Sequence, residues 1–440
     1  MIANTINLFY WLYLLYFEQL KLIPSFSVLK SVKNRRGILL LFIANFISGI
    51  AQGIAMIAIP WYFAKASAMG LFGLIYFCSN ALSLMWSPYS GTLIDKYNRQ
   101  RIFLALCLVM GLLEGLILLI GKTTFDGVGL WGAGAVFVLT SLNYNIHYNN
   151  LYAFSQEIIE EKYIKKLSSY MEVSNQVAAM LAGGTAAFLL DGTATNAWIS
   201  IKAWSIEEIF FADMTTYFIA FIILYNIDYE RFIFKKEIEN GGFITRLKAG
   251  LTYLKQDMQL FWFGLLSLNI FATLMVFEFM GSAMYVKSIL KSGGDIFALV
   301  DLFYGLGAAS AGLLIQRIFA KIDLKNSVVF LTFLTACSYA MMWFFPTASL
   351  YLFLMFVIGI TNAGTRIQRV TYIFQHIDNQ YFGRVNSVFS FINILSRMFF
   401  IALISTPFFL NENVIRIFPV FIVFLFTTCY FLIKLQNKVS

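Results

Sequence analysis

Apolar runs of about 20 residues, the length that crosses a bilayer as an α-helix, follow one another along the chain with short polar breaks between them. Twelve such runs stand at 38–64, 69–90, 102–121, 129–155, 171–190, 206–228, 259–286, 295–316, 326–345, 348–374, 383–409 and 414–433. The pattern predicts an all-α membrane protein of twelve transmembrane helices. The first 37 residues differ. Leu8 to Phe17 is apolar and aromatic, but Glu18 and Lys21 end it before it could span. No basic residue precedes it and no small-residue cleavage site follows, so it reads as an interfacial helix and not as a signal peptide.

Composition agrees with the spans. Of 440 residues, 60% are hydrophobic and 12% charged. Soluble proteins carry roughly 25% charged residues, so a water-facing shell cannot be built from this chain and a lipid-facing one can. The net charge of +9 could point to nucleic acid. The basic residues instead sit in short clusters between apolar runs, and no nucleic-acid partner is expected. Counting those at span ends, 25 of the 32 Lys and Arg fall on the side of the N-terminus and six on the other, with Arg397 inside a span. The positive-inside rule then places both termini in the cytoplasm of a bacterial inner (plasma) membrane. The four cysteines lie in apolar segments and the two histidines stand far apart. No disulfide, metal site or cofactor is expected.

The chain also repeats itself. Asn143 to Ile158 aligns with Asn362 to Ile377, pairing Asn143 with Asn362 and Gln156 with Gln375. A few residues on, Ser169-x5-Asn175 aligns with Ser387-x5-Asn393. The fourth and tenth runs are thus equivalent, which predicts two pseudo-symmetric six-helix bundles with a site between them near the midplane. The division is a cytoplasmic N-terminal segment at 1–37, a first bundle at 38–228, a basic cytoplasmic linker at 229–258, a second bundle at 259–433 and a tail at 434–440.

The loop after the second run reads Gly91-x3-Asp95-Lys96-x2-Arg99-x-Arg101. It resembles the loop signature of the major facilitator superfamily, Gly-x-Leu-x-Asp-Arg-x-Gly-Arg-Arg, with Asn98 in place of a Gly and Gln100 in place of a basic residue. The resemblance implies a cytoplasmic gate or latch at Gly91, Asp95, Lys96 and Arg99, with Asp95 pairing against the start of the eleventh helix. A second resemblance rests on Asp213, on Leu247-Lys248-Ala249-Gly250-Leu251-x-Tyr253-Leu254, and on Gln375 with Phe382-Gly383-Arg384-Val385-Asn386-Ser387. These look like the branch holding enterobactin-type siderophore exporters and macrolide efflux pumps. Antiporters of the superfamily often carry Gly-Pro-x-x-Gly-Gly in the fifth helix. Here Ala179-Met180-Leu181-Ala182-Gly183-Gly184 keeps the Gly pair and loses the Gly-Pro.

Ionisable residues inside spans are costly, about 2.5–3.5 kcal/mol at a helix centre on insertion scales, and are candidates for function. Asn143, His147 and Asn150 lie at i, i+4 and i+7 on one helix face, and Asn362, Arg366 and Arg369 are their repeat partners. Both stripes are expected to line the substrate cavity, the arginines favouring an anion. Glu278, Asp213, Glu114, Asp301 and Arg397 are the candidates for proton coupling or buried ion pairs, Glu278 first among them. Gly49-x3-Gly53 and Gly111-x3-Gly115 read as close helix contacts. Gly121-Lys122-Thr123 is no P-loop, because Leu116 stands where the motif needs Gly.

The expectation is a secondary transporter, not an enzyme: a monomer in the bilayer, coupled to protons, exporting a small amphipathic or anionic molecule such as a siderophore or drug. Import of a metabolite, or a non-transporting scaffold or receptor of the same fold, is the alternative reading.

Overall fold

The computed structural model describes residues 35–125, 127–158, 164–192, 202–228, 243–319, 321–377 and 379–436. The expected interfacial helix at Leu8–Phe17 and the linker before residue 243 lie outside them. Every regular element in the described residues is helical.

In the first half the helices are α1 (Arg35–Lys65), α2 (Met69–Lys96), α3 (Arg99–Thr124), α4 (Gly129–Ile158), α5 (Ile164–Asp191) and α6 (Ile206–Tyr225). A short helix, α7 (Phe243–Leu254), follows where the sequence suggested only a linker, and it packs on the eleventh span. The second half holds α8 (Met258–Ile289), α9 (Gly294–Ile318), α10 (Leu324–Phe344), α11 (Ala348–His376), α12 (Asn379–Ile404) and α13 (Ile417–Gln436). Ten of the described helices are long and apolar enough to cross a membrane, with α4 and α5 the more polar remainder.

Local chemistry sets several helix ends. Asn98 is the N-cap of α3, accepting from the Arg101 N–H at 3.0 Å; a cap side chain satisfies one of the orphan donors of the first turn. Gln100 donates to the carbonyls of Leu224 and Ile227 at the end of α6. The two departures from the loop signature are therefore both structural caps. Ser205 and Glu208 close a capping box at the start of α6.

The repeat is visible in bonds as well as in helix order. In the first half Gln52 of α1 donates to the Tyr217 hydroxyl of α6 at 2.5 Å. In the second half Asn269 of α8 donates to the Thr428 hydroxyl of α13 at 2.8 Å. The repeat-related asparagines behave alike: Asn175 accepts from Asn45 of α1, and Asn393 donates to the Leu268 carbonyl of α8. Each half thus ties its first helix to its fifth and sixth through buried or half-buried amides. Such bonds contribute about 0.6–2 kcal/mol each where helices share lipid.

The apolar run at 259–286 predicted one spanning helix, and α8 spans the same stretch without being regular. It breaks at Ser267 and Leu268, and it winds as π-helix over Phe277–Gly281 and again over Tyr285–Ile289. Arg369 of α11 donates to the Ser267 carbonyl at 3.1 Å and so satisfies backbone exposed by the break.

The halves pack along α5 and α9, and they are also tied together at the end where α1 turns into α2. There Trp61 stacks on Phe297 of α9 with ring centroids 5.4 Å apart. Lys65 pairs with Asp191, and Asp191 accepts from the Gly294 N–H that opens α9. Lys287 of α8 donates to the last carbonyls of α1.

Candidate functional site

The ionisable residues of the spans form two separate groups. One lies where the halves touch. Glu278 of α8 lies near Asp301 of α9, and both lie near the Tyr304 hydroxyl. Tyr304 in turn accepts from Asn362 of α11 at 2.7 Å and lies near Arg366. The Tyr76 hydroxyl of α2 is near both Arg397 of α12 and Glu278. Arg397 stands over the Phe271 ring at 5.8 Å, and among the described residues no carboxylate comes within ion-pair distance of it. The first half contributes Phe137 and Tyr76, both packed against Phe279, the residue next to Glu278.

Gly183 explains how α5 comes so close to this group. A Cβ there would stand 3.0 Å from both the Asp301 Cβ and the Leu302 nitrogen. At Gly184 a Cβ would meet nothing within 4 Å. Of the glycine pair noted in the sequence, the first is the contact residue. Glu278 sits in the first π-helical stretch of α8, and such turns recur at functional sites.

The second group lies inside the first half. Asn143 donates to the Tyr217 hydroxyl at 3.5 Å, His147 bonds Asn45 at 2.9 Å, and Asn150 donates to the Arg99 carbonyl at 2.9 Å. The stripe expected to line the cavity therefore turns toward α1, α3 and α6, its own neighbours. Its repeat partners diverge: Asn362 and Arg366 turn to α9, whereas Arg369 holds the α8 break. Glu114 and Asp213, each 0% exposed, meet across the α3–α6 contact. Of the latch residues, Lys96 stands over the Tyr97 ring at 5.5 Å. Gly91 and Asp95 fall in the last turns of α2, and the latch expected of the Asp95 side chain lies outside the described residues.

Sequence reasoning passed over Tyr76, Tyr304 and Tyr217, whose hydroxyls join the charged residues into groups. Nothing in the sequence marked them among 23 tyrosines. An apolar groove of about 900 Å³ opens between α12 and α13, lined by Phe399, Phe400, Leu403, Val420 and Phe424 among others, away from the charges.

Two helical halves that touch at a half-buried cluster of ionisable side chains fit a polytopic membrane transporter. The chain belongs to the Major Facilitator Superfamily, whose family profile matches residues 41–401. No curated protein matches it by sequence. Among solved structures it is similar to the nucleoside transporter NupG, with TM-score 0.69 and 11% identity over 91% of this chain and 99% of that one. It is also similar to a bacterial homologue of the iron transporter ferroportin in an inward-facing state, with TM-score 0.66, 14% identity, and coverage of 91% and 98%. A bacterial homologue of the human lysosomal transporter Spinster, inward-facing and unoccupied, gives TM-score 0.67, 11% identity, and coverage of 91% and 96%. At such identities the likeness is one of fold.

Proposed function

We propose that this protein is a proton-coupled secondary transporter that exports a small amphipathic or anionic molecule by alternating access. The observation that carries the reading is the Glu278–Asp301 pair where the halves touch, with Tyr304, Asn362 and Arg366 beside it. Two neighbouring carboxyls can share one proton, because like charges close together cannot both ionise without cost. Arg366, partly solvent-facing, supplies the positive charge an anionic group would meet. Protonation of the pair and binding of an anion beside it then favour each other or compete, and either relation couples flux to a proton gradient.

In this reading the protein acts as a monomer in the bacterial inner membrane, and the Lys and Arg distribution supports cytoplasmic termini. The clamped α1–α2 face is then the outer one. The siderophore- or drug-like cargo rests on the sequence resemblance to that exporter branch, and antiport with protons follows from export against the gradient.

Gene deletion followed by comparison of small molecules retained in cells and released to the medium tests cargo and direction. Accumulation inside supports export, and depletion inside overturns it in favour of import. Proteoliposomes with an imposed pH gradient test coupling. Glu278→Gln is expected to abolish gradient-driven flux while leaving exchange of cargo, and intact gradient-driven flux would remove Glu278 from the mechanism.

A further inference from the structure

The second charged group has no part in the site between the halves. Glu114 of α3 and Asp213 of α6 are fully buried. Gly111 and Gly115 of α3 lie against Phe218 and Met214 of α6, where a Cβ at Gly115 would stand 3.1 Å from the Met214 sulfur. The small residues draw the two helices together and set the carboxyls against each other. Among the described residues no donor reaches any of their four oxygens, and no cation acts on either group.

The titratable neighbours are few. Tyr217 of α6 and Tyr144 of α4 stand beside the pair, Cys107 of α3 lies near Tyr217, and α1 brings the amide of Gln52 to the same hydroxyl. The Thr140 hydroxyl, one turn before Tyr144 on the same face of α4, is also fully buried and without a partner. Tyr217 accepts from both Gln52 and Asn143, which leaves its own proton to point elsewhere. Beyond it lies a void of about 10 Å³, lined by Asn45, Ser48, Asn143, His147 and Tyr217 among others. That is about the space one water needs.

Two ionised carboxylates in such a place would lack every compensation that buried charge requires. One proton between them removes a charge and supplies the missing hydrogen bond at once. We propose that the Glu114–Asp213 pair is a proton-binding site within the first half, separate from Glu278 and Asp301, that exchanges through Tyr217 and the Asn143–His147 stripe. Loading adds one proton and one positive charge to the pair, release removes them, and no other bond is made or broken. The site does not depend on the transport reading, since its ligand is the proton itself.

Infrared spectroscopy of the full chain in lipid tests it. With Glu278→Gln and Asp301→Asn as background, this pair is the expected source of un-ionised carboxylic acid at neutral pH. The expected result is a carbonyl band worth one group that shifts in D2O without unfolding and disappears when Glu114→Gln and Asp213→Asn are added. Absence of the band from the background protein, or its survival in the added variants, overturns the site. A band that shifts in D2O only on unfolding overturns the exchange. Should the added variants fail to fold, alkaline titration of the background protein decides. Reversible loss of one acid band with gain of one carboxylate supports the pair, and a band that never yields a carboxylate refutes it.

Discussion

The ammonium of Lys287 donates to the carbonyl of Ala64 at 2.5 Å, and so the second half caps the last turn of the first half's leading helix. The Lys65 carbonyl and the Ser67 hydroxyl take its other protons. A cation at a helix C-terminus also meets the negative end of the helix dipole. Lys287→Met removes all of this and keeps the stem. Solvent reaches this end of the molecule, so the loss is about 1 kcal/mol, a roughly fivefold shift in the balance of clamped and open forms. Spin labels at Ala66→Cys and Ser292→Cys should show a larger population of long distances across the α1–α2 face.

Adjacent glycines on α5 should respond in opposite ways. Gly183→Ala forces a methyl against the Asp301 Cβ and the backbone of Ala298 and Leu302, none of which can step aside cheaply. Overpacking of this kind costs about 1–3 kcal/mol. Gly184→Ala enters open space. Thermal unfolding in detergent is expected to fall for the first and to stay level, or rise slightly through better helix propensity, for the second.

Tyr217→Phe deletes an acceptor that two buried amides share. Gln52 and Asn143 would both keep N–H groups without a partner, at about 1–3 kcal/mol for an unsatisfied buried group. The variant should unfold at lower temperature than wild type. Gln52→Leu added to it should recover part of the loss, and a double-mutant cycle on unfolding midpoints reads the coupling.

Arg366→Ala should raise the KM for an anionic cargo about tenfold, the equivalent of about 1.4 kcal/mol. A neutral cargo of similar shape should be unaffected. Transport assays with paired charged and uncharged analogues separate the two.

Helix number and order were legible because each apolar run declares its own length. What a run cannot declare is its neighbour. Asn143, His147 and Asn150 share a face by spacing alone, but only packing reveals that Asn45, Tyr217 and the Arg99 carbonyl wait on that side. Glu114 and Asp213 each look solitary in the sequence, and their meeting depends on how α3 lies on α6. The breaks in α8 were equally hidden. Ser267 and Leu268 carry no proline, and the run through Phe277 reads as unbroken hydrophobic helix. The signals at Asn98 and Gln100 were visible as departures from a motif, yet their capping roles need the end of α6 and the start of α3 in place.

The π-helical turns of α8 store slack. A π turn holds more residues than an α turn, and rewinding one as α-helix rotates everything beyond it by about 100° for each residue released, with about 1.5 Å of added rise. Glu278 lies in one such stretch and Lys287 in the other. Glu278 and the clamp on the α1–α2 face are therefore carried on a single rod, like two teeth on one shaft whose pitch can change between them.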